Sequence, residues 1–202
     1  MDKGLLIVIS GPSGAGKGTI CQEFMKTHPD CALSVSATTR APREGEIDGV
    51  NYFFLTHEEF RKKIDAGGFL EHAVFCENYY GTPKDEVLRM INSGKNVILE
   101  IEVQGALQVR SHYPEAVFVF VLPPTIEELE NRLRGRGTEA DEVIKKRLQR
   151  AKAEFSYIPK YNYILVNDTV ESAVNRLESI ITAEKCVMSR NYKNIEENFI
   201  ER

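Results

Sequence analysis

Residues 11–19 read Gly-Pro-Ser-Gly-Ala-Gly-Lys-Gly-Thr. Glycines at Gly11, Gly14 and Gly16 let a backbone curl so that successive N–H groups point inward, which is the geometry that cradles phosphate oxygens. Lys17 is placed to reach the outer phosphates, and a helix opening near Lys17 adds the positive end of its dipole. The nine residues Gly11, Pro12, Ser13, Gly14, Ala15, Gly16, Lys17, Gly18 and Thr19 are therefore a candidate nucleotide-binding loop. The hydroxyl that usually follows the lysine and is offered to a magnesium ion is missing: Gly18 stands there and Thr19 comes one place later. Magnesium is then expected to be held mainly through phosphates and water.

A second basic group lies at Arg40 and Arg43, separated by Pro42, which keeps the segment extended so that two guanidinium forks can converge on one phosphate. Taken alone, these arginines fit a solvated basic loop equally well. Tyr52 and the run Asn78-Tyr79-Tyr80-Gly81-Thr82 lie in the same region, with Tyr79 expected in a small core rather than on a ligand. Glu100 and Glu102 end an apolar run, so alternation is expected to put both on one face where ligands bind in a parallel sheet. Further along come Arg132, Arg134 and Arg136 with Gly135 and Gly137, then Arg147 and Arg150. Arginines on a glycine-hinged flap suit phosphoryl transfer, whose transition state spreads negative charge over the moving group. Arg132, Arg136 and Arg147 are the candidates for that work, whereas Arg134 and Arg150 fit surface roles. Such chemistry needs no general base, because the attacking atom is already a phosphate oxygen. His28, His57, His72 and His112 are accordingly not expected to be catalytic.

The elements that must position these groups follow from short apolar runs alternating with helical patterns, the signature of a parallel sheet covered on both faces. Core strands are expected at Leu5–Ser10, Asn96–Glu102, Ala116–Leu122 and Tyr161–Val166, with Leu33–Ala37 a fifth. Thr56 with Glu59 and Thr125 with Glu128 have capping-box spacing, and Thr82-Pro83 places a cap before proline at a first helical position. Between Thr38 and Thr82 the rhythm changes to loops, a short aromatic strand Tyr52–Leu55, one helix and the segment Phe69–Phe75, as in a small inserted subdomain. Helical periodicity resumes over Asp141–Lys160, and Ser189–Arg202 reads as a surface helix or frayed tail.

The chain has 202 residues, of which 42% are hydrophobic, enough for one substantial core. Its 26 basic and 30 acidic residues are mixed along the chain and sum to −4, so no basic face is indicated for nucleic acid. Cys21, Cys31, Cys76 and Cys186 are widely spaced and read as reduced, mostly buried thiols. The first ten residues, MDKGLLIVIS, are too short in apolar length for a secretory leader, and no later run spans a bilayer. A cytoplasmic enzyme without membrane partners is the expectation.

These residues resemble the guanylate kinase family from Gly4 to about Cys186. The strings SGPSGAGKGT, SVSATTRAPREGE, NYFF, FLEHAVF, NYYGT, VQGA, LPP, RLRGRGTE and LVND occur in that family's order and spacing. The resemblance implies a three-layer α/β/α P-loop fold with a parallel central sheet. It implies a domain over residues 4–184, with core segments 1–35, 83–125 and 157–188. A GMP-binding segment at 36–82 and a helical lid at 126–156 would be inserted into that core, leaving 189–202 as a polar tail. Ser36, Glu71 and Thr82 would read guanine, and Arg40, Arg43, Tyr52 and Tyr80 would hold the GMP phosphate. Glu102 would also contact GMP, and Glu100 would stand in the outer shell of magnesium. Lys17, Arg132, Arg136 and Arg147 would act on the transferring phosphoryl, with Asn167 near the donor adenine. The implied activity is transfer of the γ-phosphoryl group of ATP to GMP, and to dGMP, with Mg²⁺. The family usually has aspartate where Glu100 and Glu102 stand and a hydroxyl where Gly18 stands.

Two other readings compete with this one. A kinase for AMP or dTMP would share the loop and the arginines, but a carboxylate such as Glu71 suits the paired N1–H and amine of guanine, which adenine lacks. A peptide-binding relative without catalysis would not need Lys17 and the arginines of the flap.

Overall fold

The computed structural model describes residues 3–135 and 140–200. In chain order the strands are β1 (Leu6–Ser10), β2 (Cys31–Leu33), β3 (Ala37–Thr38), β4 (Phe53–Phe54), β5 (Phe69–Phe75), β6 (Asn78–Pro83), β7 (Asn96–Glu100), β8 (Val117–Leu122) and β9 (Tyr163–Val166). The helices are α1 (Lys17–Thr27), α2 (His57–Asp65), α3 (Lys84–Asn92), α4 (Val103–His112), α5 (Ile126–Arg134), α6 (Asp141–Phe155), α7 (Val170–Lys185) and α8 (Met188–Ile195). A 3₁₀ turn at Ile158–Lys160 follows α6, and a π-helical turn at Glu196–Ile200 follows α8.

Five strands form a fully parallel sheet in the order β2-β7-β1-β8-β9. Strand β1 is central and buried along its whole length, as its unbroken Leu-Ile-Val-Ile run requires. One face packs Ile7, Ile9, Val119, Val121 and Leu165 against Ile20 and Phe24 of α1 and Leu177 of α7; the other packs Leu6, Val8 and Phe118 against Val87 of α3 and Val109 of α4. Helices on both sides of a parallel sheet make the three-layer architecture, and the phosphate-loop candidate leaves the carboxyl end of the middle strand. This is where open parallel sheets bind ligands.

A second sheet, ordered β4-β3-β6-β5, is built from residues between 37 and 83 and mixes parallel and antiparallel pairs. It rests on α2, whose Phe60 stacks on Phe69 and Tyr79 with centroid distances of 4.3 and 5.3 Å. Tyr79 is thus part of this small core, as expected. Helices α5 and α6 share a separate cluster of Leu129, Leu133, Ile144 and Ala151.

Several local expectations are corrected. The fifth core strand is Cys31–Leu33, paired with Asn96–Ile98, while Ala37–Thr38 belongs to the small sheet. Both segments are short and partly apolar, and only their pairing partners separate them. Thr82 lies within β6 and donates its hydroxyl to Glu71, so Pro83 occupies the N-cap position of α3 without a side-chain cap. Thr56 forms the complete reciprocal capping box, whereas Thr125 receives the N–H of Glu128 without the reciprocal bond being formed. Strand β7 ends at Glu100, and Glu102 is the N-cap residue of α4. Cys21 and Cys31 are buried, but Cys76 and Cys186 are exposed, so the thiols are only half interior.

Candidate active site

The loop between β1 and α1 is braced from outside its own sequence. Gly16 has φ of +89°, and a Cβ there would sit 2.3 Å from Nδ2 of Asn167. That amide donates to the carbonyl of Ala15 at 2.8 Å from a buried position after β9. Arg132 at the end of α5 donates through Nε to Glu128 at 2.8 Å and through a terminal nitrogen to the Asn167 carbonyl at 3.0 Å. Loop, β9 and α5 are therefore tied at one point. The Lys17 ammonium folds back on the carbonyls of Gly11 and Pro12, at 2.6 and 3.1 Å. Burial holds it below the ordinary lysine range, opposed by the charges of Glu100, Glu154 and Glu102. Ser13 and Thr19 are exposed beside it.

Gly18, in the first turn of α1, lies directly against Glu100: a Cβ at Gly18 would lie 3.5 Å from both carboxylate oxygens. Its protein surroundings hold the Glu100 carboxyl above the ordinary value, with Lys17 opposing. Among the described residues no cluster of three or more His, Cys, Asp or Glu side chains is arranged to hold a metal. Glu100 is the carboxylate that stands against the start of α1.

A cleft of about 160 Å³ opens on the other side of Glu100, lined by Ser34, Ser36, Asn51, Tyr52, Thr82 and Glu100 among others. It lies between the carboxyl end of β7 and the small sheet. Beside it, the buried carboxylate of Glu71 on β5 accepts the Thr82 hydroxyl at 2.7 Å. Burial pushes its carboxyl up from the ordinary value, and the Thr82 bonds pull it part of the way back. Its room comes from α4, where Gly105 leaves the space: a Cβ there would stand 2.9 Å from Oε2 of Glu71. Gln108, one turn on, pairs with both backbone groups of His72 at 3.1 and 3.0 Å and so fixes β5 against α4. Gly105 and Gln108 were missed by the sequence reading; the available signal was a glycine within a helix, which is unfavourable unless something needs the space.

Arg40 lies 5.5 Å from the Tyr52 ring centre and 5.9 Å from that of Phe54, and it pairs with Glu46 at 2.8 Å. Glu46 chiefly keeps this guanidinium charged, with the Tyr80 hydroxyl adding to it. The other oxygen of Glu46 accepts the N–H of Arg43 at 2.7 Å, closing the loop that presents the exposed Arg43 side chain. The rings of Tyr52 and Tyr80 meet edge to face at 6.2 Å.

Arg147 is half-buried on α6, and Arg136 lies outside the described residues. Arg134 pairs with Glu130 and Asp141, which is the surface role expected of it. Arg150 instead reaches Glu102 at 2.6 Å, a contact the sequence reading did not foresee.

A profile of the guanylate kinase family, described as "Guanylate kinase", matches residues 3–184. The chain belongs to the guanylate kinase family. A guanylate kinase of Caldanaerobacter subterraneus subsp. tengcongensis is 54% identical over 189 residues, covering 94% of this chain and 92% of that protein. A guanylate kinase of Clostridium acetobutylicum is 57% identical over 193 residues, covering 96% and 92%. The crystal structure of guanylate kinase from Anaplasma phagocytophilum superposes with a TM-score of 0.75 at 29% identity, covering 100% of this chain and 97% of that one. The three-layer parallel fold is thus shared with a solved member of the guanylate kinase family.

Proposed function

We propose that this chain transfers the γ-phosphoryl group of ATP to GMP, giving ADP and GDP. The observation that carries the reading is the pairing of a lysine-bearing phosphate loop with a cleft whose wall residue Thr82 is hydrogen-bonded to a buried carboxylate, Glu71. Gly11–Thr19 would take the triphosphate of ATP, with Lys17 swinging from its carbonyl contacts to the outer phosphates. Glu71, Ser36 and Thr82 would read guanine: an ionised Glu71 accepts from N1–H and the exocyclic amine, and a base without that donor pair would leave the carboxylate buried and unsatisfied. Arg40, Arg43, Tyr52 and Tyr80 would hold the GMP phosphate, Glu46 exchanging its place on Arg40 for the ligand.

Arg132 and Arg147, with Arg136, would neutralise the transferring group, and Asn167 would serve the donor side by holding the loop's shape. Residues 36–82 would form the acceptor-binding segment and 126–156 the lid. A single carboxylate, Glu100, fits a magnesium ion carried mainly by phosphates and water, and such an ion supplies charge neutralisation on the β- and γ-phosphates. Among the described residues no helix is long and apolar enough to cross a membrane, and the reaction proposed is placed in the cytoplasm. We extend the acceptor to dGMP, since no residue proposed here is committed to the ribose 2′-hydroxyl.

Coupled ADP formation measured with GMP, dGMP, AMP, UMP, CMP and dTMP tests the assignment. Turnover is expected with GMP and dGMP; turnover with AMP or dTMP at comparable efficiency would overturn it. Arg43→Ala should cripple turnover with GMP, and unchanged GMP constants in both Arg43→Ala and Glu71→Gln would overturn the pocket.

A further inference from the structure

We infer that Arg150 is a positioning residue for the acceptor nucleotide, acting through Glu102. This rests on the reading of Glu102 as a GMP-contacting carboxylate given above. Glu102 is the N-cap residue of α4, the helix whose Gly105 abuts the Glu71 carboxylate, and its charge adds a minor contribution to the burial that raises Glu71. Arg150 belongs to α6 and bridges two carboxylates: it donates to Glu102 Oε2 at 2.6 Å and through Nε to Glu154 Oε1 at 3.0 Å. Arg147, Arg150 and Glu154 follow at three- and four-residue spacing, so they share one face of that helix.

The Glu154 side chain is only 14% exposed, which anchors the near end of the bridge, while Arg150 and Glu102 are 60% and 74% exposed. The exposed Arg150–Glu102 half of the bridge contributes little to stability. What it does is fix one carboxylate's direction and cancel its charge. Without Arg150, Glu102 is an unneutralised carboxylate next in sequence to Ile101 of the cleft wall, on the side that must admit a dianionic phosphate, and Glu154 loses its partner close to Lys17. The two methylenes of the Glu102 side chain let its carboxylate meet a guanidinium coming from α6. Arg150 is thereby a physical link between α6 and the acceptor side.

Steady-state kinetics of full-length Arg150→Ala, Arg150→Gln and Arg150→Lys test this. The Ala and Gln variants are expected to raise the KM for GMP about fivefold while leaving the KM for ATP within about twofold. Arg150→Lys should recover part of the loss, because it restores charge but not the two-ended bridge. In a Glu102→Gln background, Arg150→Ala should add little, since the partner through which it acts is gone. An unchanged KM for GMP, an equal rise for both substrates, or a full effect in the Glu102→Gln background would each overturn the inference. Wild-type protein inactive toward GMP would instead remove the functional reading on which it stands.

Discussion

Asn167 and Ala15 are 152 residues apart, yet the Asn167 amide donates to the Ala15 carbonyl at 2.8 Å in a buried position. The bond fixes the curl of the phosphate loop from the end of a neighbouring strand. Asn167→Ala removes the donor and leaves that carbonyl short of a partner, at a cost of about 1–3 kcal/mol. Thermal denaturation should show a lowered midpoint, and the KM for ATP should rise about tenfold while that for GMP stays within about twofold. A rise confined to GMP would contradict the bracing role.

Gly105 presents the opposite balance. Alanine there gains about 0.5–1 kcal/mol of helix stability, but its Cβ would stand 2.9 Å from the Glu71 carboxylate. The carboxylate is the movable party, so it is expected to be displaced from its place over the cleft. Gly105→Ala should keep or raise the melting temperature while raising the KM for GMP at least fivefold. A destabilised protein with normal GMP affinity would show that the glycine serves packing alone.

Glu71 gives a pH signature. Burial raises its carboxyl in the folded protein above the unfolded value of about 4.5. A raised value means that folding favours the protonated form, so this group's contribution is fully present below about pH 4.5 and is lost as pH rises through the folded value. At neutral pH the ionised carboxylate therefore burdens the substrate-free fold. Glu71→Gln, which cannot ionise and still accepts from Thr82, should melt near the wild type at pH 4 and above it at pH 7.5. Its GMP turnover should fall sharply. A stability difference equal at both pH values would rule out ionisation as the cause.

Thiol reactivity reports on the P-loop layer. The Cys21 thiol, in the helix that follows the loop, is pushed up to about 12 by burial, and burial also raises Cys31. Cys76 and Cys186 are exposed. Titration of the native protein with a chromogenic disulfide at pH 8 should give two rapid equivalents, rising to four in denaturant. Rapid reaction of a third thiol in the native state would mean that the layer over Cys21 opens readily.

What could be read from the chain alone was what neighbours in sequence decide. Strand β1, the loop after it and the opening of α1 near Lys17 are contiguous, so glycine spacing and an apolar run suffice to place them. The same holds for the cap at Thr56, which is completed within three residues. Sequence reading failed where an identical local pattern has two possible partners. Leu33–Ala37 is extended in either case, and only pairing with Asn96–Ile98 or with Phe53–Phe54 divides it between two sheets. Thr82 before proline looks like a helix cap until β5 brings Glu71 within reach of its hydroxyl.

The amino-acid sequence by itself determined the phosphate loop and the parallel fold, because these rest on residue types at short spacing. The tertiary structure alone decided that Asn167 braces the loop, that Gly105 makes room for Glu71 and that Arg150 reaches Glu102. Each of these joins groups from separate elements, and their separation of tens of residues is bridged only when the sheet order and helix packing are in place. Periodicity records which face of an element is apolar; it carries no information on which distant face it will meet.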